Sequence, residues 1–300
     1  MSARMLLRII LVLAGLVLLW GALALFRRPA RDASGALVLP RLALPDLTRI
    51  EIRQGPDTAI VVRDGEQWRV NGLPASAATV AGFVAALNDS AAPGELVSES
   101  AVSHERLGVD SLHGRRLTLA AAGQPALDLW VGMRGPDFEG FYVRRVGEAP
   151  VYLLKGAFAE RMMQSEEQWR DRQVARLPAD SIGRVEIRRG RSTFALARTA
   201  TGWQLADGPV DSASASRLVQ QFGDVRAAGF PEAVGPAPDF TAAERGVTVL
   251  GVAGQPLLAL AMDSTESGAF WVRREADGVV FRIERRVADQ IAPEARAPRP

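Results

Sequence analysis

The sequence has no cysteine, two histidines and a single lysine, Lys155. The absence of cysteine excludes disulfide bonds, thiolate zinc sites and cysteine nucleophiles. No Walker A motif and no G-x-G-x-x-G motif occurs, so nucleotide hydrolysis and dinucleotide binding lack support. The 36 basic and 34 acidic residues are interspersed and leave a net charge of +2. Because a nucleic-acid-binding protein concentrates its basic residues on one face, we expect no nucleic-acid partner.

A long uncharged run lies at the N-terminus, over residues 9–26. A helix of about 20 apolar residues crosses the hydrocarbon core of a bilayer. We therefore predict a transmembrane anchor at 1–28 in the bacterial inner membrane and an extended stalk at 29–45. A cleaved signal peptide is the alternative, because Ala22–Ala24 has the small-x-small form. Arginines flank both ends of the run, so the positive-inside rule discriminates weakly; we favour an extracytoplasmic position for the bulk of the chain.

Beyond the anchor, one stretch occurs twice. Arg49–Trp68 (RIEIRQGPDTAIVVRDGEQW) returns 135 residues later as Arg184–Trp203 (RVEIRRGRSTFALARTATGW). The offset falls to 131 at the repeated AGQP and to 129 where FYVRR returns as FWVRR. The offset changes only in segments typical of loops, where insertions and deletions are tolerated. We predict two similar domains, at 46–174 and 175–292, followed by a disordered tail at 293–300.

Alternating apolar and polar residues predict the strands of the first copy. They fall at 49–53, 59–63, 67–70, 116–120, 126–131, 141–145 and 151–154. Ser76 is typical of a helix N-cap and precedes an apolar face that extends to about Asn88. A second helix is expected at about 156–164, and residues 90–113 show no regular pattern. The fold class is therefore α+β, with antiparallel β-hairpins and two helices in each domain.

The two histidines are the first candidates for chemistry. His104 and His113 could bind a metal ion only with carboxylate help, from Glu105 or Asp110. Ser111 lies close to His113 in sequence, but no G-x-S-x-G motif supports a nucleophilic serine. We interpret both histidines as solvent-exposed loop residues.

Acidic residues precede the FYVRR-type strand in both copies. They are Asp137 and Glu139 in the first copy, and Asp263 and Glu266 in the second. Paired carboxylates carry out glycoside hydrolysis, so a glycan-hydrolysing site is one interpretation. We favour the other, in which these residues stabilise turns.

Arginine doublets and tryptophans also recur. Arg144-Arg145 and Arg273-Arg274 end the FYVRR-type strands. They could face an anionic partner, but we favour strand-end arginines that reach solvent. Four strand tryptophans are expected in the cores; the alternative is a platform on which sugars stack. These four are Trp68, Trp130, Trp203 and Trp271.

Together, these elements resemble the bacterial domain-of-unknown-function family 4340. The resemblance covers Leu47–Ile291: the R-I-E-I-R strand, a hairpin ending in Trp68, a helix, Leu107-Gly108-Val109, the FYVRR strand and Trp169–Arg172. We interpret Arg245-Gly246-Val247 as the second copy's remnant of Leu107–Val109. The resemblance implies a single-span envelope protein of unassigned activity, whose relatives are often associated with ABC transport systems of the gliding-motility type. It assigns no catalytic residues.

We therefore predict a non-enzymatic, membrane-anchored, extracytoplasmic protein that binds or scaffolds envelope or transporter proteins, possible partners being components of an ABC transporter complex. We identify no catalytic, cofactor-binding or metal-binding residues. A protein that binds or hydrolyses cell-wall glycans is the alternative, and a purely structural spacer is a third hypothesis.

Overall fold

The structure is a computed structural model that describes residues 36–89, 93–122, 124–138, 140–205, 210–231, 238–265 and 267–294. The predicted anchor at 1–28 and the stalk up to residue 35 lie outside these ranges, as does the predicted tail from residue 295 onwards. Within the described ranges, no helix has both the length and the apolar character needed to cross a membrane.

The first half of the chain builds a ten-stranded antiparallel sheet in the order β1-β6-β10-β9-β8-β7-β2-β3-β4-β5. Its strands are β1 (Ala36–Leu37), β2 (Leu47–Gln54), β3 (Asp57–Asp64), β4 (Gln67–Val70), β5 (Leu73–Pro74), β6 (Gly94–Ser98), β7 (Arg115–Ala121), β8 (Gln124–Arg134), β9 (Phe141–Arg145) and β10 (Val151–Leu154). Four helices accompany it: α1 (Ala77–Asp89), α2 (His104–Leu107), α3 (Ala157–Arg161) and α4 (Glu166–Trp169).

One face of this sheet is apolar because alternate side chains of each strand point to it. Ile50 and Ile52 of β2 are buried on this face, while the residues between them are more exposed. Helices α1, α3 and α4 contribute Phe83, Phe158 and Trp169 to the same core. The Phe83 ring lies 5.2 Å from that of Phe158 and 5.3 Å from that of Trp169, as measured between centroids. These aromatic contacts join the three helices over one face of the sheet.

The second half builds a seven-stranded antiparallel sheet in the order β14-β13-β12-β16-β17-β18-β19. Its strands are β12 (Ile182–Arg189), β13 (Ser192–Thr199), β14 (Gly202–Leu205), β16 (Arg245–Gly251), β17 (Pro256–Ser264), β18 (Phe270–Arg274) and β19 (Val280–Ile283). Helices α5 (Ser212–Gln221) and α6 (Arg285–Ile291) supply buried residues to its core. A separate two-stranded sheet pairs β11 (Gln173–Ala175) with β15 (Val225–Arg226).

The two large sheets have the same strand order over seven strands. In the first, Ile52 of β2 lies between Ala59 of β3 and Leu117 of β7. In the second, Ile187 of β12 lies between Phe194 of β13 and Val247 of β16. The antiparallel α+β fold is thus confirmed. Ile187 and Phe194 follow Ile52 and Ala59 at an offset of 135, and Val247 follows Leu117 at an offset of 130.

Several predicted elements need correction. The described part of the first half contains four helices, not two, because the helix expected at 156–164 is broken and α2 was not expected. Helix α3 ends at Arg161, and a capping box at Ser165, with Gln168 as its partner, starts α4. Residues 90–113, for which no pattern was recognised, contain strand β6, a 3-10 turn at Ala101–Ser103 and helix α2. By contrast, Ser76 accepts a hydrogen bond from Thr79 N at 3.2 Å, which confirms it as the N-terminal cap of α1.

The described segments at the predicted domain edges pack inside the fold. Strand β1 pairs with β6, and Leu37 is buried in the first core. The Leu42 amide donates to Asn88 Oδ1 at 2.9 Å, which holds residues near 42 against the end of α1. At the other edge, Val174 of β11 is buried in the second core. Residues 36–45 therefore lie on the first sheet, and β11 belongs with the second half.

Candidate functional site

A cleft of about 510 Å³ opens between the first sheet and the second half of the chain. Its floor carries Ile52, Ala59 and Leu73 from the apolar face of the sheet. Phe230 and Pro231 of the second half form part of the opposite wall. The volume lies within the range of roughly 300–1,000 Å³ that is usual for ligand pockets, which makes this cleft the candidate binding site.

Arg115 is placed at the cleft by the register of strand β7. It has the same alternation as Leu117 and Leu119, whose side chains are buried in the core, so its side chain starts on the core face. Its Nε and one terminal nitrogen donate to Gln54 Oε1 at 3.2 and 2.9 Å. The other terminal nitrogen donates to the Gln164 carbonyl at 3.4 Å. These acceptors are neutral and leave the guanidinium charge unpaired.

Arg170 is the second guanidinium of the cleft and follows helix α4. It is held in place by the Ala75–Arg170 β-bridge to the end of the first sheet. Its guanidinium carbon lies 3.8 Å from the centroid of the Phe230 ring. A cation over an aromatic face at this distance is attracted by the ring quadrupole. This contact joins the two halves of the chain directly at the cleft.

Burial perturbs both guanidinium groups in the same direction. It lowers the pKa of Arg115, and the attraction of Asp57 opposes this shift only in part. It likewise lowers the pKa of Arg170, against the attraction of Glu166 and Glu167. Desolvation without full compensation is the physical cause in both cases. Both side chains stay protonated at neutral pH, so the cleft presents two incompletely compensated positive charges.

Acidic side chains line the outer part of the cleft. Asp57 and Glu167 are exposed, and Glu166 is half-buried. Glu167 accepts from Arg172 at 3.2 Å, so part of its charge is already engaged. Gln164 also lines the cleft, and its Oε1 atom is buried without a hydrogen-bond partner among the described residues. The cleft thus combines an apolar floor, two arginines and an acidic rim.

The interpretation of both histidines as solvent-exposed loop residues is wrong for His104, which is half-buried in helix α2. His104 Nε2 donates to the Ala149 carbonyl at 2.8 Å and ties α2 to the loop before β10. His113 Nδ1 lies 3.0 Å from Asp110 Oδ1. The backbone amide of His113 also donates to Asp110, and these bonds lower the pKa of the Asp110 carboxyl. In the described part of the chain, no group of three or more potential ligands could hold a metal ion.

For three of the four acidic candidates, the side chain lies outside the part of the chain that the structure describes. The side chain of Asp137 and the whole of Glu139 and Glu266 lie outside the described residues. Asp263, near the end of β17, accepts from the backbone amide of Ser264 at 3.1 Å. Asp263 lies within the strand and opposite Trp271 of β18, so its role in a turn stays a prediction.

The repeated arginine doublets reach solvent only in part. Arg144 Nε donates to the Val109 carbonyl at 2.7 Å in a partly buried position, and Arg145 donates to the Val38 carbonyl at 2.8 Å in an exposed one. The prediction of strand-end arginines that reach solvent is therefore wrong for Arg144, whose guanidinium is used inside the first half.

In the second doublet, the prediction that the arginines reach solvent is wrong for Arg274. Its terminal nitrogen NH1 donates to the carbonyls of Gln173 and Val174 at 2.8 and 3.1 Å. In each half, the last arginine of the doublet therefore binds the strand segment that enters that half. Arg273 pairs instead with Glu275 at 2.9 Å.

The tryptophans divide between core and surface. Trp68 is buried as predicted, and Trp203 packs half-buried against the second core. Trp130 packs against a small cluster that contains Leu107 and Val109, on the face opposite the main core. Trp271 lies between buried Phe270 and Val272 in β18 and is half-buried on the outer face, so its prediction as core is wrong. Trp169 is also fully buried, but its burial could not be predicted because its neighbours in the sequence are charged and polar.

The interpretation of Arg245–Val247 as a remnant of Leu107–Val109 is also wrong. These residues begin β16, where Arg245 lies opposite Arg189 and Val247 opposite Ile187. By register, their counterparts in the first sheet are Arg115–Leu117 of β7, where Leu117 lies opposite Ile52. The cleft arginine Arg115 thus has a counterpart in the second sheet, Arg245, that sequence spacing alone misassigned.

Comparison with known proteins gives one positive result. The model of the family described as "Domain of unknown function (DUF4340)" matches residues 68–245 of the chain. No curated protein and no solved structure matches the chain.

Proposed function

We propose that this chain, which belongs to the family of domains of unknown function DUF4340, is a binding protein that holds a segment of a partner protein in the cleft between its two halves. The observation that carries the proposal is the cleft itself. It has an apolar floor at Ile52 and Ala59 and two desolvated guanidinium groups, those of Arg115 and Arg170. A concave site with an apolar lining and a few placed polar groups is the usual form of a binding site.

In this proposal the protein consists of two tandem copies of one domain. Support comes from the common order of seven strands and from contacts that recur at the same offset. The Arg63 guanidinium lies 6.0 Å from the Trp68 ring, and that of Arg198 lies 5.0 Å from the Trp203 ring. A duplicated domain leaves a junction between its copies, and clefts at domain junctions are common binding sites.

The uncharged run at 9–26 supports a membrane anchor in the inner membrane, with the two copies on the extracytoplasmic side. The test is labelling of single cysteines at Glu66 and Arg191, which are exposed hairpin positions in the two sheets. The natural chain has no cysteine, so it serves as the unlabelled control. A maleimide that does not cross the inner membrane should label both variants in intact cells. Labelling only after lysis would contradict the proposed orientation.

The partner that we propose is a component of an ABC transporter complex in the cell envelope. The resemblance described above supports this partner class, and the cleft supports capture of a polypeptide. A photo-crosslinking residue in place of Thr58, which lines the cleft, should trap the partner in intact cells. The matched control replaces Glu66, in the exposed turn between β3 and β4 at the far end of the hairpin from Thr58. Crosslinks that are equal at both positions, or that never contain a transporter subunit, would refute this function.

A further inference from the structure

The two sheets place an arginine at the same register position with different surroundings. Arg245, the first residue of β16, lies opposite Arg189, the last residue of β12. Arg115 is the first residue of β7 and hydrogen-bonds Gln54, the last residue of β2. Arg245 is 0% exposed, whereas Arg115 borders the open cleft. The surroundings of Arg245 therefore show which groups a fully buried arginine has around it at this register position.

In the second sheet, a carboxylate of the chain itself completes the site. Asp289 Oδ1 of helix α6 lies 2.7 Å from a terminal nitrogen of Arg245. In the first sheet, the carboxylate of helix α3 is used elsewhere, since Glu160 lies 2.7 Å from Arg134. Across the described residues, Arg115 forms no ion pair with a carboxylate, and its acceptors are the Gln54 side chain and the Gln164 carbonyl.

The first sheet also leaves space where the second is filled. Phe194 occupies the position beside Ile187 in the second sheet, while Ala59 occupies the matching position beside Ile52. Ala59 lines the cleft. A methyl group in place of a phenyl ring, beside a guanidinium that Asp57 compensates only in part, leaves room for an external group. Arg170, whose guanidinium lies over the Phe230 ring and donates to no acceptor within the described ranges, adds further N–H donors.

We propose that the cleft binds a carboxylate carried by the partner polypeptide, which takes the place at Arg115 that Asp289 takes at Arg245. This inference rests on the proposed function, because it names the group that the captured segment presents. The exposed acidic rim at Asp57 and Glu167 favours a polypeptide over a small free carboxylate. A polypeptide can place a basic residue next to its carboxylate, whereas a small dianion would meet the rim without compensation.

The test uses the full-length protein in detergent and two blocked tripeptides. They are acetyl-leucyl-glutamyl-lysine amide and its glutaminyl counterpart, which differ only in the side-chain carboxylate and carry the basic residue that faces the acidic rim. By isothermal titration, the glutamyl peptide should bind about ten-fold more tightly, the effect of one charge-assisted hydrogen bond. Arg115→Gln should abolish this preference. Arg226→Gln, an exposed arginine paired with Asp224 on the second half, is the matched control and should retain it.

Three outcomes would overturn the inference. The first is equal affinity for the two peptides, which includes no measurable binding of either. The second is a preference that survives Arg115→Gln. The third is binding of glutarate as tight as that of the glutamyl peptide, which would reject the polypeptide as the source of the carboxylate.

A second variant supplies the missing carboxylate within the chain. Gln54→Glu places a carboxylate where Gln54 already accepts two bonds from Arg115. It should raise the melting temperature and weaken binding of the glutamyl peptide about ten-fold. An unchanged melting temperature together with unchanged peptide binding would contradict the inference. Crosslinking from Thr58 is independent of these assays. If a partner is trapped but the two peptides bind equally, only the carboxylate proposal is rejected. If the two peptides bind differently but no transporter subunit is trapped, only the proposed function is rejected.

Discussion

Replacement of Arg274 by methionine should loosen the strand that enters the second half. The Arg274 side chain is 20% exposed and donates to the carbonyls of Gln173 and Val174 while pairing with Asp277 at 2.7 Å. A hydrogen bond from a charged donor contributes roughly 1.5–3 kcal/mol, and an ion pair at the surface up to about 1 kcal/mol. Because the two carbonyl bonds share one nitrogen, we expect a loss of about 3 kcal/mol from the local free energy of opening.

The assay is amide hydrogen exchange of the full-length protein, followed by mass spectrometry of peptides that cover β11 and β15. A loss of about 3 kcal/mol corresponds to exchange roughly 100-fold faster in these strands. Arg145→Met is the matched comparison, because Arg145 makes one exposed bond to Val38. It should cost about 1 kcal/mol and accelerate exchange in β1 only about five-fold. Equal effects of the two substitutions, or unchanged exchange in β11, would refute the assignment of Arg274 as the residue that holds this strand.

Three further predictions concern single residues. Burial raises the pKa of the Asp277 carboxyl, but hydrogen bonds from Arg274 and the Val279 amide outweigh burial, so the net pKa is lowered. The stabilisation by Asp277 should therefore be present above a pH of about 4 and be lost as the pH falls below it. Amide exchange of the β18–β19 turn should show this pH dependence in the natural chain but not in Asp277→Asn. Gly132→Ala would place a Cβ 2.3 Å from the Leu107 carbonyl and should lower the free energy of unfolding in denaturant by about 2–3 kcal/mol. The control Gly55→Ala has open space around it and should lower it by about 1 kcal/mol through its positive φ alone. Similar losses for the two variants would contradict the close packing of the segment around Leu107 against β8. Ser76→Ala should lower stability by about 1 kcal/mol and speed exchange in the first turn of α1, and an unaffected first turn would show that the Ser76 cap contributes nothing.

Strand positions and the α+β class could be predicted from the sequence because they depend on local alternation. Burial of every second side chain is a property of single strands, so Ile50, Ile52 and Trp68 were correctly placed before any pairing was known. The Ser76 cap was predictable for the same reason, since it acts on its own helix. Strand β6 was missed because its adjacent apolar residues Leu96 and Val97 are both exposed, so it shows no apolar alternation although it pairs with β1 and β10.

The cleft could not be predicted, because its residues are distant in sequence and individually ordinary. Ile52, Arg115, Arg170 and Phe230 meet only after the sheet has paired and the two halves have packed. The exposure of an arginine is likewise decided by its neighbours. Arg274 donates to a backbone carbonyl 100 residues away, whereas Arg273 pairs with the nearby Glu275 and lies over the Phe240 ring. The sequence by itself thus determined the repeated strand pattern, which follows from local periodicity. Tertiary structure alone decided where charges remain uncompensated, since that depends on long-range register and on which carboxylate reaches each guanidinium.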